Sequence, residues 1–376
     1  MPHNVDTLIV KVASRCNLAC TYCYEYSAGD ETWRAASKTL SLSNTELLGK
    51  RIAEYAHQSK LRTINVVAHG GEPLLLGPYK LDKFFSTLRE TASNVHINFS
   101  IQTNAVLLQE KHCEVLTRHN VAVGVSLDGG PTHNSHRVDL KKQGTWQRAT
   151  QGIKMLKTYA PDRFRGILCV VDLESDPSDV VQELARFSPP QIDFLQPFLT
   201  HDTAGENRLR LATQFGLWMS RAMDAWLNEP LYADIKIRVF EDAIRIAVGA
   251  PTKTDWFGPR SVSYLVVDTN GEYDLLDQLK VIGALSADVR SLGLSLATGT
   301  IQQAADRAEK LLSHYKGSVT PGACLACAYA KACSGSHLTS RYSQSNHFDN
   351  PSSYCEGLTM LFEKARDAIK TRRANA

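Results

Sequence analysis

Three cysteines near the start of the chain, Cys16, Cys20 and Cys23, are the residues whose type and spacing most directly suggest chemistry. They follow a short apolar run, Leu8 to Val12, which predicts a strand, so they lie on the loop where that strand ends. The chain has nine cysteines, an odd number, and the first apolar run is too short for a signal peptide. A reducing, cytoplasmic environment is therefore expected, in which clustered cysteines more often bind metal or catalyse than form disulfides. Zinc is disfavoured on this loop because no fourth ligand follows at zinc-finger spacing.

The CxxxCxxC spacing after a first strand resembles the loop of the radical S-adenosylmethionine (SAM) enzymes. The resemblance implies that Cys16, Cys20 and Cys23 hold three irons of a 4Fe-4S cluster and leave the fourth iron open. In the superfamily, the amino and carboxylate groups of SAM bind that iron, and one electron from the cluster releases a 5′-deoxyadenosyl radical. The protein then has to bind and orient the reactants and exclude water.

Motifs at the ends of the next three predicted strands support the same resemblance. Gly70, Gly71 and Glu72, followed by proline, resemble the GGEP motif of the family and imply contact with the methionyl part of SAM. The other implied SAM-binding residues are Asn104 after the third strand, Ser126 and Asp128 at the end of the fourth, Arg137 nine residues beyond Asp128, and Tyr22 against the adenine. Taken singly, Asn104 is equally compatible with a turn, Asp128 with a cap and Arg137 with a solvated charge.

A second group of cysteines lies near the C-terminus. Its members are Cys324, Cys327, Cys333 and Cys355. Their spacing resembles the SPASM domain of peptide- and protein-modifying radical enzymes, which implies an auxiliary 4Fe-4S cluster with four cysteine ligands. The full SPASM pattern has seven cysteines, and Leu276 and His337 stand at two of its positions here, so a second auxiliary cluster is not expected. Zinc remains an alternative for this group, because four cysteines also suit tetrahedral zinc.

Two segments beside this cysteine group narrow the expected reaction. Residues 337–343, HLTSRYS, and residues 348–355, FDNPSSYC, resemble peptide maturases that build three-residue cyclophanes. Those enzymes join an aromatic ring carbon to the β-carbon of a residue two positions on. The resemblance thus implies a radical SAM maturase of a ribosomally synthesised peptide. Two alternatives stay open: another radical modification, such as a thioether crosslink, an epimerisation or serine/cysteine oxidation, and a non-enzymatic metal-binding scaffold for the peptide.

Asp277 is the predicted acid-base residue. It follows a turn at Asn270-Gly271 and matches the aspartate that SPASM-type enzymes place at the substrate. A radical that couples to an aromatic ring must finally lose a proton and an electron, and a carboxylate near the ring can take the proton. A solvated or capping aspartate is the alternative interpretation.

Strand-like and helix-like stretches alternate along the first half of the chain, which predicts βα units and a parallel sheet. The predicted strands are residues 8–12, 63–68, 96–102, 121–127, 166–171 and 192–198, and the predicted helices include 80–91, 108–118, 146–159 and 177–187. Residues 43–46 are interpreted as a capping box before a further helix. The resulting fold class is α/β, a partial (β/α)6 barrel with a C-terminal iron-sulfur (SPASM-like) domain, and the strand ends carry the site.

The predicted division is a radical SAM barrel over residues 1–200, a helical connecting segment over 201–260 and a SPASM-like domain over 261–376. The net charge of +3, from 42 basic and 39 acidic residues, gives no footprint for nucleic acid, and no apolar run approaches membrane-spanning length. Expected partners are the precursor peptide and a reduced flavodoxin or ferredoxin-type electron donor. Because the chain begins almost at its first strand, leader-peptide binding is expected to use the barrel, the C-terminal domain or another protein.

Overall fold

The computed structural model describes residues 5–254, 256–258, 263–316 and 322–374. The chain forms two compact units by its internal contacts. The first contains residues up to 126 together with 135–165 and 261–311, and the second contains 127–134, 166–260 and 312–376. The predicted boundary between residues 260 and 261 lies outside the described residues, and the predicted division into three segments stays a prediction.

The elements alternate as the sequence predicts, and the six predicted strands and four predicted helices are present with ends that differ by at most three residues. The strands are β1 (Thr7–Ala13), β2 (Thr63–Gly70), β3 (His96–Thr103), β4 (Ala122–Ser126), β5 (Phe164–Val170), β6 (Gln191–Leu195), β7 (Lys236–Ile237), β8 (Tyr264–Val267), β9 (Glu272–Asp274) and β10 (Ser291–Ser295). The α-helices are α1 (Leu42–Ser59), α2 (Gly77–Thr91), α3 (Glu110–Arg118), α4 (Trp146–Tyr159), α5 (Pro177–Ala185), α6 (His201–Ala204), α7 (Arg208–Asn228), α8 (Arg238–Ala247), α9 (Ser286–Arg290), α10 (Ile301–Lys316), α11 (Gly322–Leu325), α12 (Ala330–Cys333) and α13 (Cys355–Ala374).

In the first unit, β1 lies at the centre of the sheet and pairs in parallel with both β2 and β8. The parallel order continues through β3 to β4, whereas β9 and β10 extend the opposite side as antiparallel strands. Leu8, Val10 and Val12 are fully buried on one face of β1. Lys11, on the other face and in register with His69, is also buried. Because a central parallel strand is covered on both faces, a charged side chain there needs a partner.

Helix α1 begins at Leu42, before the end of the capping box predicted at residues 43–46. Its N-cap is Ser41, whose side chain accepts a hydrogen bond from the Asn44 N–H, so the prediction that placed a capping box at residues 43–46 was wrong. Ser41 has an extended backbone and Ser43 already lies in the helix, which leaves Ser41 to satisfy the free N–H groups of the first turn. The buried face of α1 includes Leu48, Ile52 and Tyr55, as the helical spacing predicts.

In the second unit, β5, β6 and β7 pair in parallel, and Ile167 lies opposite Ile192. Helices α7 and α13 cross closely at two glycines, since a Cβ on Gly216 would stand 2.6 Å from the Gly357 Cα. Phe215 and Met219 of α7 are fully buried, so this helix packs into the core of the second unit. Over the residues described, no helix has the length and apolar character needed to cross a membrane.

Candidate cofactor and active site

The loop that leaves β1 carries Cys16, Cys20 and Cys23 as thiols outside any disulfide, and all three are half-buried or buried. The Leu18 N–H points at the Cys16 sulfur at 3.3 Å. The middle of the loop is tied to a later segment of the same unit, since the Ala19 N–H donates to the Val138 carbonyl at 2.8 Å. A loop with so many backbone restraints presents its thiols in a fixed arrangement.

The three thiols lie close enough to influence one another's charge. Burial, together with the nearby Glu72, Cys20 and Cys23, raises the pKa of Cys16 to about 12. Burial also raises the pKa of Cys23. Without a metal the thiols of Cys16 and Cys23 are therefore protonated, and iron would replace the protons. Three neighbouring thiols that are half-buried or buried fit three irons of a 4Fe-4S cluster, which would supply the electron for radical formation from SAM.

Gly70 and Gly71 allow the end of β2 to touch the cysteine loop. The Gly71 N–H donates to the Ala13 carbonyl at 2.9 Å, and the Glu72 N–H donates to the Arg15 carbonyl at 3.0 Å. Gly70 has φ of +136°, and a Cβ there would collide with the Ala13 carbonyl oxygen, while a Cβ on Gly71 would collide with that of Arg15. The glycines thus bring backbone against backbone, in addition to any approach to SAM that the motif implies.

The Glu72 carboxylate ties the ends of β2 and β3 together. One oxygen accepts from the Thr103 hydroxyl at 2.6 Å and the Leu74 N–H at 2.9 Å, and the other accepts from the Asn104 N–H at 2.8 Å. Burial raises the pKa of Glu72, and these hydrogen bonds work in the opposite direction. The Asn104 side chain donates to the side-chain amide oxygen of Asn17 at 2.9 Å and lies 3.9 Å from the Cys16 sulfur. Glu72 and Asn104 are therefore parts of the framework of the cysteine loop.

Two of the predicted SAM-binding residues, Tyr22 and Arg137, meet directly. The Arg137 guanidinium donates to the Tyr22 hydroxyl at 2.6 Å. The Tyr22 ring also lies beside the His136 ring, with centroids 6.2 Å apart, and His136 Nδ1 is 2.9 Å from the Thr21 hydroxyl. The sequence analysis did not predict that His136 lies beside this pair. The only sequence signal for it was that His136 directly precedes Arg137.

The side chains of Ser126 and Asp128 form hydrogen bonds in different units of the chain. The Ser126 hydroxyl accepts from the Gln102 amide at 2.8 Å within the first unit. Asp128 belongs to the second unit, where its carboxylate accepts from the Val170 N–H of β5 at 3.0 Å. This contact fits the alternative interpretation of Asp128 as a capping residue, because its carboxylate accepts a hydrogen bond from a backbone N–H group. The roles of Ser126 and Asp128 in SAM binding stay predictions.

Asp277 lies at the centre of a buried group of charged and polar side chains in the first unit. Its carboxylate stands 2.8 Å from the Lys11 ammonium of β1 and accepts from the Tyr24 hydroxyl at 3.0 Å. Lys11 also pairs with Glu25, which pairs in turn with Lys280 at 2.7 Å. All four charged residues are at most 7% exposed. The Asp277 carboxylate is therefore buried and fixed by Lys11 and Tyr24, and it is not a solvated capping residue.

The positive charges in this group keep Asp277 ionised. Burial alone would raise the pKa of Asp277, but the Lys11 ammonium, with a smaller effect of Lys280, holds it below its usual range. Burial, together with the charge of Lys11, lowers the pKa of His69 to about 4, so its imidazole is neutral near pH 7. The site thus combines an ionised carboxylate with a neutral imidazole.

The sequence prediction named Asp277 but missed four residues that surround it, Lys11, Tyr24, Glu25 and Lys280. One signal was available. Lys11 is the only charged residue in the apolar strand Leu8 to Ala13, and a lysine in a doubly covered strand needs a buried carboxylate. The identity of that carboxylate was not available, because Asp277 is far away in the sequence.

The second cysteine group comes together in the second unit. Cys324, Cys327, Cys333 and Cys355 line one small cavity, together with apolar atoms of Leu358 and Phe362. Burial, together with the other thiols of the group, raises the pKa of Cys333 to about 12 and that of Cys355 to about 11. Four free thiols in one apolar cavity fit either a 4Fe-4S cluster or zinc.

The two segments that the sequence singled out beside these cysteines fold against each other. The Asn350 side chain donates to the Arg341 carbonyl at 2.8 Å, and Arg341 Nε donates to the Asn350 carbonyl at 3.1 Å. The Ser340 and Ser352 hydroxyls are 2.9 Å apart. The segments therefore form one buried polar support beside the cysteine cavity, which Ser352 also lines.

Residues 10–183 match the model of the Radical SAM superfamily. The matched range contains all three cysteines of the first loop and Glu72, Asn104 and Arg137. The chain therefore contains a radical SAM domain, the domain of an enzyme superfamily that uses SAM and a 4Fe-4S cluster.

Curated relatives and a solved structure extend the likeness over nearly the whole chain. A cysteine-type anaerobic sulfatase-maturating enzyme of Clostridium novyi is 25% identical over 292 residues, which cover 74% of this chain and 76% of the relative. A serine-type anaerobic sulfatase-maturating enzyme of Bacteroides thetaiotaomicron is 23% identical over 378 residues, 95% of this chain and 88% of the relative. The structure of native anSMEcpe with bound AdoMet and Cp18Cys peptide has a TM-score of 0.81 and 21% identity, and the match covers 98% of this chain and 99% of that one. This likeness confirms the predicted α/β fold class, the radical SAM barrel with a SPASM-like C-terminal domain.

Proposed function

We propose that this protein is a cytoplasmic radical SAM maturase that forms a cyclophane on a ribosomally synthesised peptide. A peptide substrate is supported by the relatives, which mature a protein, and by the similar fold of anSMEcpe, which was solved with a peptide. The proposed bond joins an aromatic ring carbon to the β-carbon of a nearby residue. Reduced flavodoxin or a ferredoxin-type protein is the proposed electron donor.

The observation that carries this choice of reaction is the state of Asp277. Lys11 holds the pKa of Asp277 below its usual range against the effect of burial, so the carboxylate is a weak base. A base of this strength can act only on a strongly acidic proton, and the substrate carries one after it has lost a hydrogen atom and an electron. Such a base suffices for the ring carbon of a crosslinked intermediate that has lost an electron, because aromatisation makes that proton strongly acidic.

The proposed reaction assigns a task to each part of the chain. The radical SAM cofactors, when bound, supply a radical that takes a hydrogen atom from the substrate β-carbon. The β-carbon then bonds to the ring, and the ring must lose one electron and one proton to become aromatic again. Asp277 takes the proton, and Tyr24 and Lys11 hold its carboxylate in place. The proposed acceptor of the electron is a second 4Fe-4S cluster, which would be held by Cys324, Cys327, Cys333 and Cys355.

The proposed SAM-binding residues remain Tyr22, Gly70, Gly71, Glu72, Asn104, Ser126, Asp128 and Arg137. The contacts favour a division of labour among them. Arg137 and Tyr22 form a hydrogen-bonded pair that can offer a charge and a ring to the cofactor. Glu72 and Asn104 act at least in part through the shape of the loop that they fasten.

The test is the product of the enzyme with a peptide encoded beside its gene. Incubation with SAM and a reductant should give a peptide lighter by two hydrogen atoms for each crosslink. Fragmentation should fail within a short segment that begins at an aromatic residue. Deuterium on the partner β-carbon should appear in 5′-deoxyadenosine, because the radical is proposed to act there.

Serine/cysteine oxidation is the second candidate, and the sulfatase-maturating relatives favour it. Oxidation of a serine to an aldehyde also removes two hydrogen atoms, so mass alone does not separate the reactions. A precursor without serine or cysteine should still react if a cyclophane forms, and the product should not combine with a hydrazine reagent. An aldehyde, or loss of product when the serine or cysteine is replaced, would establish the second candidate instead.

A further inference from the structure

A short hairpin, residues 138–144, lies against the cysteine loop of the first unit and is closed by an antiparallel bridge between its first and last residues. Leu18 of the cysteine loop forms a second bridge, with Asp139 of the hairpin. The Leu18 N–H in turn lies 3.3 Å from the Cys16 sulfur. Bridged backbones lie about 5 Å apart, the usual spacing of paired strands. The hairpin is therefore joined by a short route to a proposed ligand of the first cluster.

The tip of this hairpin is basic, exposed and fixed in shape. Leu140 is 69% exposed, and Lys141 and Lys142 beside it are also exposed. The Asp139 carboxylate holds the turn, since it accepts from the Lys141 N–H at 2.9 Å and from the Gln143 N–H at 3.0 Å. Asp139 is the only acidic residue of the hairpin and is 9% exposed. The tip thus presents two positive charges and one apolar side chain to an approaching molecule.

We propose that the hairpin is the docking surface for an acidic one-electron donor protein that reduces the first cluster. This inference rests on the electron donor of the proposed function and adds the place where that donor binds. The donor gives up one electron to the cluster and is oxidised by one electron, and no atom is transferred. Lys141 and Lys142 steer a negatively charged protein to this place, and Leu140 gives the contact an apolar centre.

The position of the hairpin favours an electron donor over an acidic segment of the peptide substrate. A donor has to approach the cysteine loop, to which Asp139 ties the hairpin, whereas an anchoring segment of a peptide can bind far from the cofactors. The small size of the tip also suits a donor, because electron-transfer partners form small, weak interfaces and separate after each transfer.

The test reverses both charges in one full-length protein, by Lys141→Glu together with Lys142→Glu. The probe is an acidic flavodoxin with oxidised FMN, and its dissociation constant is measured by calorimetry at ionic strengths of about 0.01 M and 0.1 M, which screen charges beyond about 30 Å and 10 Å. We expect about tenfold weaker binding at the lower ionic strength and loss of most of the salt dependence of the parent. Release of 5′-deoxyadenosine should fall by a similar factor with limiting reduced flavodoxin. It should keep the parent rate with photoreduced deazaflavin, a small reductant that needs no docking surface.

Lys60→Glu together with Arg62→Glu is the matched control, because it changes the net charge equally at the other end of the sheet. Both residues are exposed and precede β2, whose Asn65 pairs with Thr7 at the start of β1, whereas the cysteine loop leaves the end of β1. The control should bind flavodoxin as the parent does.

Three results would overturn the proposal. Equal weakening in both variants would mean that net charge alone acts, and unchanged binding in the hairpin variant would mean that the donor docks elsewhere. Weaker binding of the precursor peptide, with flavodoxin binding unchanged, would mean that the hairpin serves the peptide. A peptide product other than a cyclophane would refute the proposed reaction and leave this test unaffected.

Discussion

Asp277→Asn offers the sharpest test of how the active site divides its work. The substitution keeps the size and shape of the side chain but removes a negative charge that lies 2.8 Å from the Lys11 ammonium. Removal of one partner of a buried ion pair costs about 3–5 kcal/mol when the other partner is left alone. Here Glu25 still pairs with Lys11, and the amide oxygen of the substituted side chain can still accept from Tyr24. The expected loss of unfolding free energy is therefore smaller, about 1.5–3 kcal/mol, the range for a hydrogen bond to a charged group.

The effect on chemistry should be confined to the crosslink. The formation of the radical does not need this carboxylate, so Asp277→Asn should keep both clusters and release 5′-deoxyadenosine at the parent rate. Crosslinked peptide should fall by about 10²–10⁴-fold, the usual contribution of a positioned base. The assay follows both products in the same reaction by mass spectrometry. Crosslinked peptide formed at the parent rate would return Asp277 to a structural role.

The same carboxylate fixes a pH dependence with a definite sign. Because the pKa of Asp277 is lower in the folded protein than in the unfolded chain, its ion pair stabilises the fold above the unfolded pKa of about 3.9. This stability is lost as the pH falls further toward the folded pKa. The crosslinking step should accordingly show no acidic decline from this group above a pH of about 5. A decline centred near pH 6 to 7 that disappears in Asp277→Asn would contradict the ionised state inferred here.

Two further predictions concern the cysteine groups and their support. Reconstituted protein should hold about eight irons and eight sulfides per chain. Replacement of Cys324, Cys327, Cys333 and Cys355 by alanine should leave about four irons and keep SAM cleavage. Zinc bound at these four cysteines would refute the second cluster. Gly71→Ala should destabilise the protein by about 1–3 kcal/mol or more and reduce iron retention, because its Cβ would strike the Arg15 carbonyl and the Tyr26 hydroxyl. Gly144→Ala is the control, since a Cβ there meets no atom within 4 Å, and equal losses in thermal unfolding and iron content would contradict the argument.

The elements of the barrel could be predicted because each carries its own signal. The apolar residues of β1 to β6 and the helices between them show local periodicity, and the structure places them within a few residues of the expected ranges. The start of α1 was misplaced because Ser41 and Ser43 are both good caps, and only the backbone angles show which one the chain uses. Local spacing likewise identified both cysteine groups, whose members lie close in sequence except for Cys355.

The electrostatics of the site could not be predicted, because they arise from residues that are far apart in sequence. Lys11 and Asp277 are brought together only when the strand after the turn at Gly271 pairs beside β8, which pairs in turn with β1. A motif can suggest that Asp277 is an acid-base residue, yet the same aspartate would be a stronger base beside a neutral residue than beside an ammonium group. The pairing of strands therefore decides how strong a base Asp277 is, which its position in the sequence does not show.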